Sequence, residues 1–430
     1  MNAAERWIPL RWPASWRDPS YLALLEGSPI NCLLVSGSGA GFEALGEAAG
    51  RRGIACLTAR GAEAPAAAAG ELRIVPRSAL DWGARDPVLA VSECVWPSVA
   101  ETGGGAEAGP TGMPWVDSNG WFVQLARVRA PGRAVWLVFE PPENRVLRPE
   151  AYALAAADAE AYGARWLITL ATTTAADRAQ AAAALGAVGR VLRFFEAHRN
   201  WRAFGPRAVL GVLSDFSGAH REAAEEILNL LARRALPFRI LEKAAVGARS
   251  LEGLKAVIDP DASPASGPLR ERLLSFVRAG GLLVTGPQWG AEEGVPAPGD
   301  VHGRYRVFQV GRGRLAIAKE EFGDPYLAAL DVHLLLGRRH DVIRLWNAGS
   351  LNAYYTVAPP GRPALVQLLN YSLRGAAHSV TVGLSERYRA ARFWELGAKA
   401  PRRLEIRPAA QGIELPLPGF SVYAAIELEG

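Results

Sequence analysis

Two glutamates that each follow an apolar run are the residues of this sequence best suited to chemistry. Glu93 follows VLAVS and Glu140 follows AVWLVF, and polar and aromatic side chains lie between them. Carboxylates can act as acid, base or nucleophile, and indole faces can stack on pyranose rings, so this segment predicts a sugar site. The candidate sugar-binding residues between the glutamates are Trp96, Trp115, Asp117, Asn119 and Trp121.

The same residues also have a purely structural interpretation. Glu93 and Glu140 can be polar strand ends, and the tryptophans can fill the core beneath a long loop. Asp117 and Asn119 can cap a turn or the helix that follows, because short polar side chains bond to nearby backbone N–H groups. The separation of the two carboxylates would decide a glycosidase mechanism: about 5–5.5 Å suits retention and about 6.5–9.5 Å suits inversion. The sequence leaves all of these alternatives open.

Length and composition exclude several classes of function. A chain of 430 residues predicts two to four domains. The formal charge of +5 is small, and no Lys/Arg block is interleaved with aromatics, so we expect no nucleic-acid partner. No apolar run reaches about 18 residues, which argues against a membrane span. The N-terminus lacks the pattern of a signal peptide. We therefore expect a soluble, cytoplasmic protein without a membrane partner.

The cysteines and histidines give no reason to expect a cofactor or a metal. Three cysteines are widely spaced, and the six histidines form no H-x-x-x-H pair. The run Gly37–Gly41 between a predicted strand and a helix could bind phosphate, although its spacing is not G-x-G-x-x-G. We expect no cofactor and no metal, and nucleotide binding stays open as a weaker alternative.

The first half of the chain alternates apolar runs with alanine-rich helical patterns. Such alternation predicts a parallel sheet covered on both faces, either an open sheet or a barrel. The predicted helices are Phe42–Arg52, Pro149–Tyr162 and Ala175–His198. The predicted strands are Ile30–Val35, Ile54–Thr58, Leu72–Val75, Val88–Val91, Ala134–Phe139 and Ala164–Leu170.

Two further patterns follow. From Arg207 to Thr285 strands and helices alternate again over about a hundred residues, which predicts an open flavodoxin-like sheet. From about Tyr305 the pattern changes to a hairpin, a helix over Pro325–Leu336 and several short alternating strands. That spacing predicts a small antiparallel β-sandwich.

This order resembles the multidomain glycoside hydrolases of the β-galactosidase type. The segment LKAVIDPDASPASGPLRERLLSFVRAGGLLVTGP is similar to their glutamine-amidotransferase-like middle domain, and LVQLLNYSLRGAAHSVTVGL with GIELPLPGFSVYAAIEL is similar to their C-terminal sandwich. The resemblance implies a TIM-barrel-like catalytic domain, complete or partial, over 1–204. It implies a flavodoxin-like domain over 205–320 and a β-sandwich over 321–430. It also implies a carbohydrate substrate and a homo-oligomer, either dimer or trimer.

The resemblance assigns roles to the two glutamates. The family keeps its general acid at the end of the fourth barrel strand, where Glu93 stands in the predicted order. Its nucleophile ends the seventh strand, but only six strands are predicted here and the sixth ends LATTT. Ser92, rather than an asparagine, precedes Glu93. We therefore expect a glycoside hydrolase with Glu93 as proton donor and Glu140 as its partner. The alternative is a non-catalytic carbohydrate-binding or assembly protein on a degenerate hydrolase scaffold.

Overall fold

A computed structural model describes residues 3–36, 40–60, 70–102, 105–106, 114–143, 146–290, 294–297, 302–359 and 363–430. Gly37, Ser38 and Gly39, which begin the run considered as a weaker alternative for phosphate binding, lie outside the described residues. None of the described helices combines the length and the apolar character that a membrane crossing requires.

Seven parallel strands form a nearly closed barrel in the N-terminal part. The Arg11 N–H donates to the Ile168 carbonyl at 2.8 Å, and the Ile168 N–H donates to the Pro9 carbonyl at 3.0 Å. These bonds join the first strand to the chain just after the seventh. A partial TIM-barrel-like domain is therefore confirmed. The strands are β1 Pro9–Arg11, β2 Cys32–Val35, β3 Ala55–Arg60, β4 Glu71–Pro76, β5 Val88–Ser92, β6 Ala134–Leu137 and β7 Arg165–Trp166.

The barrel strands bury side chains on both faces. Alternate residues such as Leu34, Ala90 and Leu167 belong to one compact cluster with the fully buried Trp136, as expected for a parallel barrel. The other face packs against helices that follow individual strands. These helices are α1 Ala40–Gly50, α2 Gly120–Arg129, α3 Pro149–Ala161, α4 Thr172–Ala176 and α5 Arg178–Ala197.

The predicted count of six barrel strands is wrong, because β1 was missed. This strand is only three residues long and begins with proline, so it carries no local strand signal. It forms because β2 pairs with it on one side and Ile168 on the other. Glu93 consequently follows the fifth barrel strand and Glu140 the sixth, so Glu93 does not occupy the fourth-strand position that the resemblance implied.

The middle of the chain forms a second, open sheet. Its strands are β8 Leu210–Ser214, β9 Phe238–Glu242, β10 Ala256–Asp259, β11 Leu282–Thr285, β12 Tyr305–Val310 and β13 Gly313–Ala318. Their order is β9-β8-β10-β11-β13-β12, followed by the edge strand Val295–Pro296. All of the labelled strands are parallel except β12, and the order of the first five matches a flavodoxin-like sheet. The helices are α6 Arg221–Arg233, α7 Gly267–Arg278 and α8 Pro325–Leu336.

The C-terminal part consists of two antiparallel sheets, in agreement with the predicted sheet domain. The strands are β14 Ile343–Trp346, β15 Leu351–Val357, β16 Ala364–Asn370, β17 Thr381–Leu384, β18 Ala390–Glu395, β19 Ile413–Pro416 and β20 Tyr423–Glu429. A six-stranded sheet has the order Gly205–Pro206, β15, β16, β20, β18, Arg402–Arg403, and a four-stranded sheet has the order β14, β17, β19, Arg407–Pro408. The domain boundaries at 204/205 and 320/321 stay predictions; α8 packs against α6 and the middle sheet.

Candidate functional site

A cleft of about 550 Å³ lies between the rim of the barrel and helix α6, and we call it the barrel–α6 cleft. It exists because β4 and β5 are joined by only a short turn, Arg77–Ala79, and a loop, so no helix covers the rim there. Helix α6 packs against α2 and reaches this rim instead. The lining residues are Arg77, Ser78, Glu93, Val95, Trp115, Asp117, Ser118, Trp121, Arg221, Glu222, Glu225, Glu226, Asn229 and Arg233.

Glu93 lies on the rim at the carboxyl end of β5. Its backbone is in the left-handed region with φ 63°, which is uncommon for a residue other than glycine and turns the chain sharply out of the strand. One carboxylate oxygen accepts hydrogen bonds from the Ser78 N–H at 3.0 Å and the Ser78 hydroxyl at 2.9 Å. These bonds, with smaller contributions from Arg77 and Arg221, lower the pKa of Glu93. The exposed carboxylate is therefore held in its ionised form.

Trp115 and Asp117 share one partner, Arg233 of α6. The Arg233 guanidinium lies 3.5 Å from the centre of the Trp115 ring, a close cation–π contact. Its Nη2 also lies 3.3 Å from the Asp117 carboxylate. Arg233 thus covers one face of the Trp115 indole and partly neutralises Asp117, and it ties the barrel to the middle unit at the cleft.

Trp121 lines the cleft from the first turn of α2. It is largely buried, and the Arg77 guanidinium lies 5.3 Å from its ring centre. Arg221 of α6 donates to the backbone carbonyls of Arg77 and Ser78 and also pairs with Glu225. The turn that holds Glu93 is therefore itself held by a residue of the middle unit.

Glu140 does not line the cleft. It follows β6, the neighbour of β5, but its exposed carboxylate forms an ion pair with Arg11 of β1 at 2.5 Å. Glu93 turns toward Ser78 after β4, and the strand order around the rim is β4, β5, β6, β7, β1. The two side chains thus turn in opposite directions around the rim.

Trp96 also lies away from the cleft. Its half-buried indole makes edge contacts to Phe139, Tyr152 and Trp166, with ring centres 5.6–5.9 Å apart. It lines a different cavity, of about 380 Å³, together with residues of the loop after β16. These contacts make Trp96 part of the aromatic packing above β6 and β7.

Asn119 is buried within a hydrogen-bonded network. Its side-chain amide exchanges bonds with the Val95 backbone at 2.9 and 3.0 Å and donates to the Asp158 carboxylate at 3.1 Å. Asp158 also accepts from the Ser118 hydroxyl at 2.7 Å and the Tyr371 hydroxyl at 2.6 Å. Burial raises the pKa of Asp158 above its usual range, against these bonds. Asn119 therefore has no side-chain group left for a sugar in this arrangement.

The structure thus brings four of the predicted site residues into one cleft: Glu93, Trp115, Asp117 and Trp121. Glu140, Trp96 and Asn119 do not line it. The side-chain groups of Asn119 are in addition all engaged in hydrogen bonds. Sequence reasoning missed the arginines that surround them. Arg221 and Arg233 belong to a helix that follows far along the chain, and only the charged face of REAAEEILNLLAR signals that α6 has a polar side. Nothing in that pattern indicates that the polar side meets the barrel.

A separate polar cluster lies at the carboxyl ends of β8 and β10. The ligand-type atoms of Asp215, His220 and Asp261 lie within 4.8 Å of one another. The ammonium group of Lys243 is 3.0 Å from Asp261 and 2.9 Å from Asp259. A cation of the protein thus already pairs with two of these carboxylates, and we treat the cluster as an ion-pair network of the middle sheet.

Comparisons with known proteins agree with the architecture. No protein-family model matches the chain, and no curated protein matches it. Among solved structures, a β-galactosidase from Bacillus circulans sp. alkalophilus has a TM-score of 0.50 at 13% identity, covering 90% of this chain and 66% of its own. A rhamnosidase from Novosphingobium sp. PP1Y has a TM-score of 0.51 at 12% identity, covering 90% of this chain and 38% of its own.

A third structure, α-L-fucosidase isoenzyme 2 from Paenibacillus thiaminolyticus, has a TM-score of 0.48 at 13% identity, covering 69% of this chain and 60% of its own. The chain spans less than two thirds of the length of the solved structures that it matches here. At these identities the likeness to the β-galactosidase and the rhamnosidase structures concerns the fold alone.

Proposed function

We propose that this protein is a glycoside hydrolase that binds its substrate in the barrel–α6 cleft, with Glu93 as the ionised carboxylate of the reaction. The observation that carries the proposal is the position of Glu93. It follows a barrel strand, where catalytic groups of barrel enzymes lie, and shares its cleft with two indoles. The fold neighbours that carry glycosidase names support the same class.

The electrostatics of Glu93 point to a specific role. A general acid needs a raised pKa so that it holds a proton near neutral pH. The Ser78 bonds lower the pKa of Glu93 instead, so the proton-donor role that the resemblance implied suits it poorly. An ionised carboxylate can attack the anomeric carbon or activate water. We therefore give Glu93 the role of nucleophile or base, and Glu140 stays the predicted partner.

The remaining cleft residues would bind the sugar. Trp115 lines the cleft beside Arg233, and the part of its indole that reaches the cleft would contact a pyranose ring. Asp117 and the Arg77 guanidinium offer an acceptor and a donor to hydroxyl groups. Tryptophan stacking beside a few fixed polar groups is the usual composition of a small-molecule site.

A kinetic comparison of matched glutamate variants tests the proposal. Purified wild type, Glu93→Gln and Glu140→Gln are assayed on a panel of aryl glycosides, with Glu252→Gln as a control because Glu252 is exposed on the middle unit and does not line the cleft. Glu93→Gln should lower kcat/KM at least about 100-fold. A comparable loss in Glu140→Gln would identify Glu93 and Glu140 as the catalytic pair. Unchanged turnover in Glu93→Gln would remove Glu93 from the mechanism.

The second candidate is carbohydrate binding without hydrolysis. It is favoured by the opposite orientation of the two glutamates, since Glu140 is engaged by Arg11 and does not line the cleft. In that case wild type binds an oligosaccharide by calorimetry, Trp115→Ala weakens the binding, and no glycoside is turned over. Sustained hydrolysis that depends on one carboxylate would contradict this candidate.

A further inference from the structure

Trp346 is unusual among the tryptophans of the chain. Of the 13 tryptophans, all of which the structure describes, it is the one that is exposed, with 42% of its surface accessible. It ends β14 of the four-stranded C-terminal sheet. The neighbouring Leu345 points to the inner face beside Val382, so Trp346 lies on the outer face. An exposed indole on a sheet surface indicates a binding surface, and this one is separate from the barrel–α6 cleft.

The indole lies flat on the sheet because Gly383 leaves room for it. Gly383 of β17 is on the same outer face, and a Cβ at this position would come within 2.6 Å of the Trp346 ring. Gly383 is buried although it is on the outer face, because the ring covers it. One face of the indole is thus used for packing and the other is available to a ligand.

Charged groups surround this indole. Glu414 of β19 lies directly opposite Gly383 in the sheet. Arg338 and Arg339, in the turn after α8, are exposed, and no ion pair joins either of them to a described carboxylate. Arg344 is already bonded to Asp341. The groove that these residues line has a volume of about 410 Å³.

We propose that this surface, the Trp346 platform, is a second saccharide-binding site that takes an anionic oligosaccharide. A pyranose ring would stack on the free face of the indole, as apolar sugar faces do on aromatic rings. The guanidinium groups of Arg338 and Arg339 would bind a carboxylate or sulfate group of the sugar, since planar guanidinium matches such oxyanions. Glu414 would accept a hydrogen bond from a hydroxyl group. The platform is independent of Glu93 and of any hydrolysis in the barrel–α6 cleft.

Calorimetric titration of the full chain tests the platform. The probes are a hexameric oligogalacturonate, a heparin-derived hexasaccharide and neutral cellohexaose, so that carboxylate and sulfate ligands are distinguished from an uncharged one. We expect one of the anionic probes to bind at least about tenfold more tightly than cellohexaose. Trp346→Ala should weaken that binding about fivefold to tenfold. Arg338→Gln with Arg339→Gln should abolish the preference for the anionic probe.

Two further variants keep the result interpretable. Gly383→Ala retains every binding group but tilts the indole off the sheet, and it should weaken binding in the same direction as Trp346→Ala. Trp115→Ala, altered only in the barrel–α6 cleft, should leave platform binding unchanged. A second class of sites that Trp115→Ala removes and Trp346→Ala retains would belong to the cleft.

Three results would overturn the platform. One is the absence of binding for all probes, and another is equal affinity of wild type and Trp346→Ala. The third is a change in mass by light scattering in Trp346→Ala without a change in saccharide affinity, which would make this face an interface between copies of the chain. Failure of the Glu93 kinetics would leave the platform intact, because the titrations do not depend on turnover.

Discussion

Neighbouring residues of the segment Trp115–Trp121 lie in two different environments. Asp117 faces the barrel–α6 cleft, where its carboxylate is partly exposed beside Arg233. Ser118 and Asn119, the next two residues, are buried and bond to Asp158. The cleft side keeps polar groups available to a ligand, whereas the buried side uses its polar groups to join the barrel to the C-terminal sheet through Tyr371. Residue type alone therefore does not separate a binding group from a structural one.

The two environments also shift carboxyl groups in opposite directions. Hydrogen bonds from Ser78 lower the pKa of exposed Glu93, and burial raises the pKa of Asp158. A lowered pKa marks a group that the protein stabilises as an anion, and a raised pKa marks one that burial disfavours as an anion. We expect substitutions on the two sides to affect different properties: stability for the Asp158 network and ligand chemistry for the cleft.

The largest expected effect on stability is that of Asp158→Ala. The change leaves the Tyr371 hydroxyl, the Ser118 hydroxyl and the Asn119 groups without their shared acceptor. Loss of a buried, multiply bonded polar group should lower the free energy of unfolding by about 3–5 kcal/mol. Urea denaturation followed by tryptophan fluorescence measures it. A loss below about 1 kcal/mol would mean that the network is not a structural anchor.

A smaller effect is expected for Tyr371→Phe. It removes one hydroxyl donor from the network while Ser118 and Asn119 continue to satisfy Asp158. The free energy of unfolding should fall by about 1–2 kcal/mol, the usual range for one buried hydrogen bond. Since Tyr371 lies outside the cleft lining, kcat/KM on any hydrolysed glycoside should not change. A large fall in kcat/KM with little loss of stability would contradict the structural role that we give to the Asp158 network.

The pH dependence of stability should distinguish the two carboxyl groups by sign. Because the pKa of Asp158 is raised in the folded state, its contribution is fully present below its unfolded pKa and is lost as pH rises through its folded pKa. Glu93 has a lowered pKa, so its contribution is present above its unfolded pKa and is lost as pH falls through its folded pKa.

Unfolding free energies of wild type, Asp158→Asn and Glu93→Gln, measured from pH 3 to pH 8, test these signs. The advantage of wild type over Asp158→Asn should shrink as pH rises above about 4. The advantage of wild type over Glu93→Gln should shrink as pH falls below about 4.5. If the stability advantage of wild type over both variants changed in the same direction with pH, the opposite pKa shifts of Asp158 and Glu93 would be contradicted.

The smallest effect on stability is expected for Arg233→Met in the cleft. Methionine keeps an apolar stem but loses the cation–π contact with Trp115 and the ion pair with Asp117. The free energy of unfolding should fall by about 1 kcal/mol, because the Asp117 carboxylate of the ion pair is exposed to solvent and a cation–π contact contributes little. Affinity for an oligosaccharide should change more than stability does. Calorimetry and urea denaturation on the same variant give both values.

The fold could be predicted where the pattern along the chain is strong. The predicted helix over Pro149–Tyr162 matches α3 closely, because Pro marks its start locally. The predicted helix over Ala175–His198 matches α5, except that its first residues belong to α4 and to the N-cap Asp177. The open parallel sheet of the middle region also follows from local alternation, whereas the order of its strands is a finding of the structure. β1 could not be predicted, since its three residues become a strand only through two neighbours that are distant in the sequence.

The site could be predicted only in part. The position of Glu93 at a strand end follows from the apolar run before it, and the rule that strand ends share one rim is general. The sequence does not tell which tryptophan faces solvent: Trp115 lines the cleft, while Trp96 packs against Phe139 and Trp166. The cleft itself depends on α6, whose contact with the barrel is a tertiary feature without a local signal.

The central claim is that the Glu93 carboxylate takes part in the reaction rather than only shaping the turn after β5. Chemical rescue of Glu93→Ala tests it most directly, on the aryl glycoside that wild type hydrolyses best. We predict that the substitution lowers kcat at least about 100-fold. Added sodium formate should then raise the kcat of the variant at least about tenfold, because a small carboxylate can enter the vacated space. A loss that formate does not reverse, or no loss at all, would contradict the claim.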